Sequence, residues 1–133
     1  MRVVPDTNVF VSGIFFAGPP YQILKAWQEK RLDIVVSSPI LEEYRRVGKK
    51  LSDQFPGIDF TPILELVAAR AMIIEAMDLA EPVCDDPDDD KFIACALSGR
   101  VQYIVSGDKH LLKISGYKGL KIVTPRRFVD NCL

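Results

Sequence analysis

Short apolar runs rich in β-branched residues alternate along this chain with longer amphipathic segments. The alternation limits the fold, because strands separated by helices pair in parallel and carry helices on both faces. We predict strands at residues 2–5, 33–36, 72–74, 103–105 and 121–123, and loops at 13–20 and 54–59. Helices are predicted at 19–30, from 38 to a break at 55–57, at 61–71, from the acidic turn 85–90 through 97, at 108–113 and at 125–131. The expected fold is α/β: a single three-layer α/β/α domain over residues 1–133 with a five-stranded, Rossmann-like parallel sheet.

Composition argues against several classes of protein. The chain is 48% hydrophobic and 26% charged, as soluble globular proteins are, and it has no apolar run long enough for a membrane span. The opening MRVVPDTNVF lacks the layout of a signal peptide, so we expect a cytoplasmic protein. Three cysteines without CxxC spacing and a single histidine argue against a zinc site. The net charge of −1 argues against a large electrostatic footprint on nucleic acid, but not against a site where bound cations supply the positive charge.

Acidic residues recur at one edge of the predicted sheet. Asp6 directly follows the first strand, Glu43 comes shortly after the second, and Asp108 follows the fourth. Asp90 opens the helix that precedes the fourth strand. Because open α/β sheets bind ligands beyond the carboxyl ends of their strands, we expect these side chains to form a site.

Clustered carboxylates repel one another, and a bound divalent cation is the usual way in which proteins relieve that repulsion. A set of oxygen ligands favours Mg²⁺ or Mn²⁺ over zinc. Such an ion can orient a phosphate and stabilise charge on a phosphodiester. The predicted chemistry is therefore metal-assisted hydrolysis of a phosphodiester.

Four strings of the sequence carry a family resemblance: PDTNVFVSG, SSPILEEYRRV, DPDDDKFIACAL and IVSGDKHLL. In this order, and over nearly the whole chain, they resemble PIN-domain nucleases. The resemblance is strongest to the toxin components of toxin–antitoxin systems, the group related to VapC-type ribonucleases. It implies a PIN-like fold, dependence on Mg²⁺ or Mn²⁺, and endonucleolytic cleavage of RNA. It also implies three kinds of partner: the RNA substrate, an antitoxin protein and a second copy of the chain in a homodimer.

The resemblance also assigns roles by motif position. The catalytic metal ligands that it implies are Asp6, Glu43, Asp90 and Asp108. The polar positions that support them are Thr7, Asn8 and Ser106. Pro5 departs from the family pattern, and because proline has no N–H donor we expect the last rung of strand one to be altered.

Each of the later acidic positions has an alternative explanation. Glu42 points about 100° away from Glu43 on the helix, and we prefer Glu43 because it adjoins the buried stripe. Asp90 stands in an acidic run that suits a helix N-terminus, so Asp86 or Asp89 is the alternative there. The aspartate after the fourth strand, Asp108, could instead simply cap the helix that follows it.

Basic and aromatic residues near these positions are candidates for contact with RNA. Arg45, Arg46 and Lys49 form either a solvated helix face or a surface for phosphates. Phe15 and Phe16, in a predicted loop, could stack on bases or contact a partner.

Two other functions stay open. An aspartyl-phosphate phosphotransferase would use Asp6, but such enzymes usually carry a second aspartate two residues on, where this chain has Asn8. The main alternative is a PIN-like scaffold that binds RNA or protein without cutting. All four acidic positions are present, so the sequence gives no sign that a catalytic residue has been lost.

Overall fold

The sheet at the centre of the molecule has five strands in the order β3-β2-β1-β4-β5, and all neighbouring strands are parallel. The structure is a computed structural model that describes residues 1–133. The strands are β1 (Arg2–Pro5), β2 (Asp33–Val36), β3 (Met72–Ile73), β4 (Tyr103–Val105) and β5 (Lys121–Val123). All five predicted strands are confirmed, and β3 is one residue shorter than expected.

Seven helices surround the sheet, and the predicted three-layer α/β/α fold is confirmed. They are α1 (Thr7–Phe15), α2 (Pro19–Gln28), α3 (Ser38–Gln54), α4 (Thr61–Arg70), α5 (Asp90–Ser98), α6 (Lys109–Leu112) and α7 (Pro125–Cys132). A 3-10 turn at Pro87–Asp89 precedes α5, and another at Tyr117–Gly119 precedes β5. None of the helices combines the length and apolarity needed to cross a membrane.

The burial of the strands on both faces explains why their sequences are continuous apolar runs. Strands β1, β2 and β4 are almost fully buried, as expected for parallel strands that are covered on both faces. Helix α5 packs on these three strands, while α1 packs on α2 and α3, and α2 packs on α7. This arrangement leaves the carboxyl ends of β1 and β4 side by side at one edge of the sheet.

Helix α1 was not predicted, and part of it falls in the expected loop 13–20. Its apolar residues lie on all sides, so the sequence shows no amphipathic stripe there. Its buried positions are Thr7, Val9, Phe10, Val11, Gly13 and Phe15. Gly13 marks a helix contact and not a loop, because a Cβ there would lie 2.7 Å from Leu24 and 2.8 Å from the Pro20 carbonyl oxygen.

The end of β1 is fixed by α3 through the carbonyl of Pro5. Pro5 lies opposite Val105, and the next amide along, that of Asp6, donates to the Val105 carbonyl at 2.9 Å. The hydroxyl of Tyr44 donates a hydrogen bond to the Pro5 carbonyl. The buried Tyr44 ring also stacks on Phe10 with 4.1 Å between the ring centroids. The strand end that carries Asp6 is therefore held in place from two sides.

Candidate active site

Asp6 lies where β1 ends and α1 begins. Its carboxylate caps α1 by accepting a hydrogen bond from the Val9 N–H at 2.8 Å, and its other oxygen accepts one from the Ser106 hydroxyl. The residue is only 5% exposed. Burial raises the pKa of the Asp6 carboxyl above its usual value, although these two hydrogen bonds lower it. The neighbouring charges of Asp108 and Glu43 raise it further.

Asp108 is linked to Asp6 through Ser106. The Ser106 hydroxyl donates to Asp6 and accepts a hydrogen bond from the Asp108 backbone N–H at 2.9 Å. Asp108 also caps α6, because its Oδ1 accepts from the His110 N–H at 2.9 Å. The cap explanation is therefore correct, but it is incomplete, since Asp108 lines the same cleft as Asp6. The pairing of β1 with β4 brings the two aspartates together.

Glu43 reaches this cleft from the second turn of α3. The hydroxyl of Thr7 donates a hydrogen bond to Glu43 Oε2, and the Glu43 side chain is 13% exposed. The adjacent Glu42 is exposed and faces a separate groove together with Arg45. The two glutamates therefore point apart as expected, and Glu43 is the one that faces the cleft.

Asp89 lines the cleft in the place where we expected Asp90. The Asp90 carboxylate instead accepts hydrogen bonds from the backbone N–H groups of Val83 at 3.3 Å and Cys84 at 2.7 Å. The 3-10 turn at Pro87–Asp89 causes the difference, because it sets the register in which α5 begins. The carboxylate of Asp90 therefore holds the segment that leads into the turn.

The pKa of Asp89 is raised from 3.8 to about 6. Burial is the largest cause, and the charge of Asp108 is the next. Asp86, Asp88 and Glu43 raise this pKa further. Asp86 itself is exposed and caps the 3-10 turn by accepting a hydrogen bond from the Asp88 N–H at 3.0 Å, so it acts on the cleft only through its charge.

The cleft measures about 120 Å³ and combines acidic, polar and apolar walls. Its lining comprises Asp6, Thr7, Asn8, Glu43, Val47, Asp89, Phe92, Asp108 and Leu111. Asn8 is exposed at this cleft and is not among the hydrogen-bond partners of Asp6. Thr7 supports Glu43 and not Asp6, so of the three predicted supporting residues only Ser106 bonds to the first aspartate.

Lys91, on α5, pairs with the carboxylates of Glu43 and Asp88 beside the cleft. Sequence reasoning missed this residue. Its Nζ lies 3.0 Å from Glu43 Oε1 and 3.2 Å from Asp88 Oδ1. Arg46 approaches Glu43 Oε1 from α3, at 3.5 Å, but it is largely exposed. A lysine in the first turn of a helix opposes the helix dipole. The unfavourable position of this positive charge at the start of α5 is the feature of the sequence from which Lys91 could have been identified.

The donor chemistry of the cleft fits a hard divalent cation. Every charged group lining it is a carboxylate, and burial with mutual repulsion raises the pKa of both Asp6 and Asp89. No three His, Cys, Asp or Glu side chains stand close enough together in this structure to coordinate one ion. Binding would therefore require side chains of the cleft to move inward.

The residues expected to contact RNA differ in their exposure. Arg45, Arg46 and Lys49 line grooves along α3, on the helix that carries Glu43. Phe16 is 49% exposed and lies edge-on against Phe55, with 5.6 Å between ring centroids. Phe15, in contrast, is buried within α1, so its expected position in an exposed loop is wrong, and its contact with RNA stays an untested prediction.

A parallel α/β sheet with acidic side chains gathered at its topological switch point defines a class of proteins that bind ligands at this edge. Residues 2–110 match the PIN domain family, and the chain belongs to that family. The chain is also similar to the PIN domain of T. brucei RRP44, with 18% sequence identity and a TM-score of 0.55. That likeness covers 98% of this chain and 81% of the other, and at such identity it shows the fold. No curated protein matches the chain. PIN domains are generally nucleases, so this is a nuclease fold.

Proposed function

We propose that this protein is a divalent-metal-dependent endoribonuclease that hydrolyses RNA phosphodiesters in the cleft at the ends of β1 and β4. The observation that carries the proposal is the convergence of Asp6, Glu43, Asp89 and Asp108 on one cleft. Two of these carboxyls, Asp6 and Asp89, have a raised pKa, chiefly because they are buried and further because the neighbouring carboxylates repel their charge.

Asp6, Asp89 and Asp108 are the residues we propose as direct ligands of Mg²⁺ or Mn²⁺, with Glu43 acting through water. Asp89 replaces Asp90 in this set, because Asp89 lines the cleft, whereas the Asp90 carboxylate is turned to the backbone N–H groups of Val83 and Cys84. When bound, the ion would neutralise the cleft, orient the phosphate and activate water for attack on phosphorus.

The chain itself supplies the orientation of these groups. Ser106 and the Val9 N–H orient the Asp6 carboxylate before substrate binds. Thr7 holds Glu43 in the same way from the start of α1. Both supports come from short, rigid elements that meet at the edge of the sheet.

Substrate binding is proposed along α3. Arg45, Arg46 and Lys49 provide positive charge on the helix that carries Glu43, and such residues contact phosphates without reading sequence. The exposed edge of the Phe16–Phe55 pair, near the carboxyl ends of α1 and α3, offers a ring on which a base of single-stranded RNA can stack.

The test is cleavage of labelled single-stranded RNA in the presence of Mn²⁺, with and without a chelator. We expect cleavage that the chelator abolishes and that Asp6→Asn removes. Asp130→Asn is the matched control, because Asp130 is exposed on α7 outside the cleft. Equal cleavage by Asp6→Asn and the parent protein would contradict the proposal.

A non-catalytic PIN-like scaffold is the second candidate. It is favoured by the contacts of Glu43, which already pairs with Lys91 and Arg46, and by the absence of a preformed three-ligand group. Calorimetric titration with Mn²⁺ separates the two functions. RNA binding without any Mn²⁺ binding would support the scaffold.

The toxin role and the homodimer are further parts of the proposal, and they rest on the motif resemblance. Exposed aromatic residues at Phe16, Tyr21 and Phe55 are consistent with an interface between protein chains. Induced expression in bacteria tests the toxin role: growth should stop with the parent chain and continue with Asp6→Asn. Sedimentation analysis tests the dimer.

A further inference from the structure

Lys91 lies beside the cleft, between the half-buried Glu43 and the exposed Asp88. Its side chain is 16% exposed, and its ammonium contacts Glu43 Oε1 at 3.0 Å. It also lies 3.2 Å from both carboxylate oxygens of Asp88. These contacts join α5, α3 and the 3-10 turn through one positive charge.

Local helix energetics do not explain this lysine. Lys91 is the second residue of α5, where the positive end of the helix dipole disfavours a cation and favours carboxylates. Its position must therefore be stabilised by the carboxylates around it. The pair with Glu43, whose side chain is 13% exposed, is screened less by salt than a surface pair, whereas Asp88 is largely exposed.

The carboxylates that line the cleft differ in their counter-charges. Glu43 is paired with Lys91, which is not itself among the residues that line the cleft. Asp6, Asp89 and Asp108 form no salt bridge with any cationic side chain. The uncompensated charge is therefore concentrated on the three aspartates, while Glu43 already contacts a protein cation.

We propose that the Lys91 ammonium occupies the place of a second cation, so that the cleft binds a single divalent ion on the side of Asp6, Asp89 and Asp108. Lys91 is then a positioning residue: together with Thr7 it holds Glu43 facing the cleft. This inference rests on the proposed metal-dependent function and specifies how many ions that function uses.

The experiment is calorimetric titration of the full chain with Mn²⁺, combined with electron paramagnetic resonance of bound Mn²⁺. We expect one ion in the parent protein. In Lys91→Met, which keeps length and removes charge, we expect a second, spin-coupled ion, or binding of the first that is tighter by about tenfold. Lys91→Arg should restore the parent behaviour, and the exposed Lys25→Met on α2 is the matched control.

A merely structural role would weaken Mn²⁺ binding when Lys91 is replaced, so tighter or additional binding is specific to the proposal. Lys91→Gln provides a second uncharged variant should Lys91→Met fail to fold. The role of Lys91 would be overturned if the uncharged variant bound one ion with unchanged affinity, or if the parent protein bound two ions. In either case, RNA cleavage that a chelator abolishes would still support the nuclease proposal. No Mn²⁺ binding by the parent would overturn both.

Discussion

Asp89 and Asp90 are adjacent in the chain, yet their carboxylates serve different parts of the molecule. Asp89 faces the cleft, where burial and Asp108 raise its pKa to about 6. Asp90 accepts backbone hydrogen bonds from Val83 and Cys84. One residue carries charge into the proposed active site, and the other fixes the segment that leads to it.

Separate substitutions should therefore have separate effects. We expect Asp89→Asn to lower RNA cleavage by more than about 100-fold, beyond the loss typical of residues that only orient a ligand. Asp90→Ala should lower the free energy of unfolding by about 1–3 kcal/mol, because it leaves two N–H groups without their acceptor. Urea denaturation and initial cleavage rates of the folded variants measure the two effects. If Asp90→Ala instead lost cleavage and Asp89→Asn instead lost stability, Asp90 would be the functional residue.

The raised pKa of Asp89 predicts how stability changes with pH. The folded state binds the Asp89 proton more tightly than the unfolded state, so this residue stabilises the fold at low pH. That contribution is lost as the pH rises from 3.8 through about 6. Asp89→Asn should remove the loss and stabilise the protein above this range by about 1 kcal/mol, after allowance for solvent screening. Thermal unfolding across this pH range, without metal, makes the comparison; parallel curves for variant and parent would contradict it.

Ser106 should matter to both stability and turnover. Ser106→Ala removes a donor to Asp6 and an acceptor for the Asp108 N–H, so we expect unfolding to become easier by about 1–3 kcal/mol. Cleavage should fall by about 10–100-fold through the loss of orientation at Asp6. Ser52→Ala is the control, because the buried Ser52 hydroxyl has no hydrogen-bond partner and its removal costs none. Equal behaviour of the two variants would count against the role of Ser106.

The basic face of α3 is tested through the salt dependence of RNA binding. Arg45→Gln and Lys49→Gln should each weaken binding of a catalytically inactive Asp6→Asn protein to single-stranded RNA. Each should also reduce the slope of affinity against salt by about one phosphate contact. Lys25→Gln on α2 is the matched control. If the slope of affinity against salt were unchanged in both variants, RNA would not bind along α3.

The strands and the first acidic position could be predicted from the sequence because their signals are local. A short β-branched run followed by Asp6 gives the end of β1, but the cap that Asp6 forms on α1 was not predicted. Asp108 was also predicted, since the switch-point rule places its strand beside β1, but the sequence left open that it only caps the next helix. These residues depend on strand ends, and strand ends are set by local sequence.

Asp89 and Lys91 could not be derived with the same certainty, because their orientation depends on where a helix begins. A shift of one residue turns a side chain by about 100°, and the 3-10 turn before α5 supplies that shift. The burial of Phe15 was missed for a different reason. Helix α1 is covered by neighbouring helices, so its apolar residues form no stripe that marks it as a helix.

Anomalous diffraction from crystals of this protein soaked in Mn²⁺ tests the central claim most directly. We expect one peak in the cleft, with oxygen ligands from Asp6, Asp89 and Asp108, and with Glu43 still paired to Lys91. The Asp90 carboxylate should remain on the amides of Val83 and Cys84. A cleft without anomalous signal at saturating Mn²⁺ would contradict the account of this site as a metal-dependent nuclease centre.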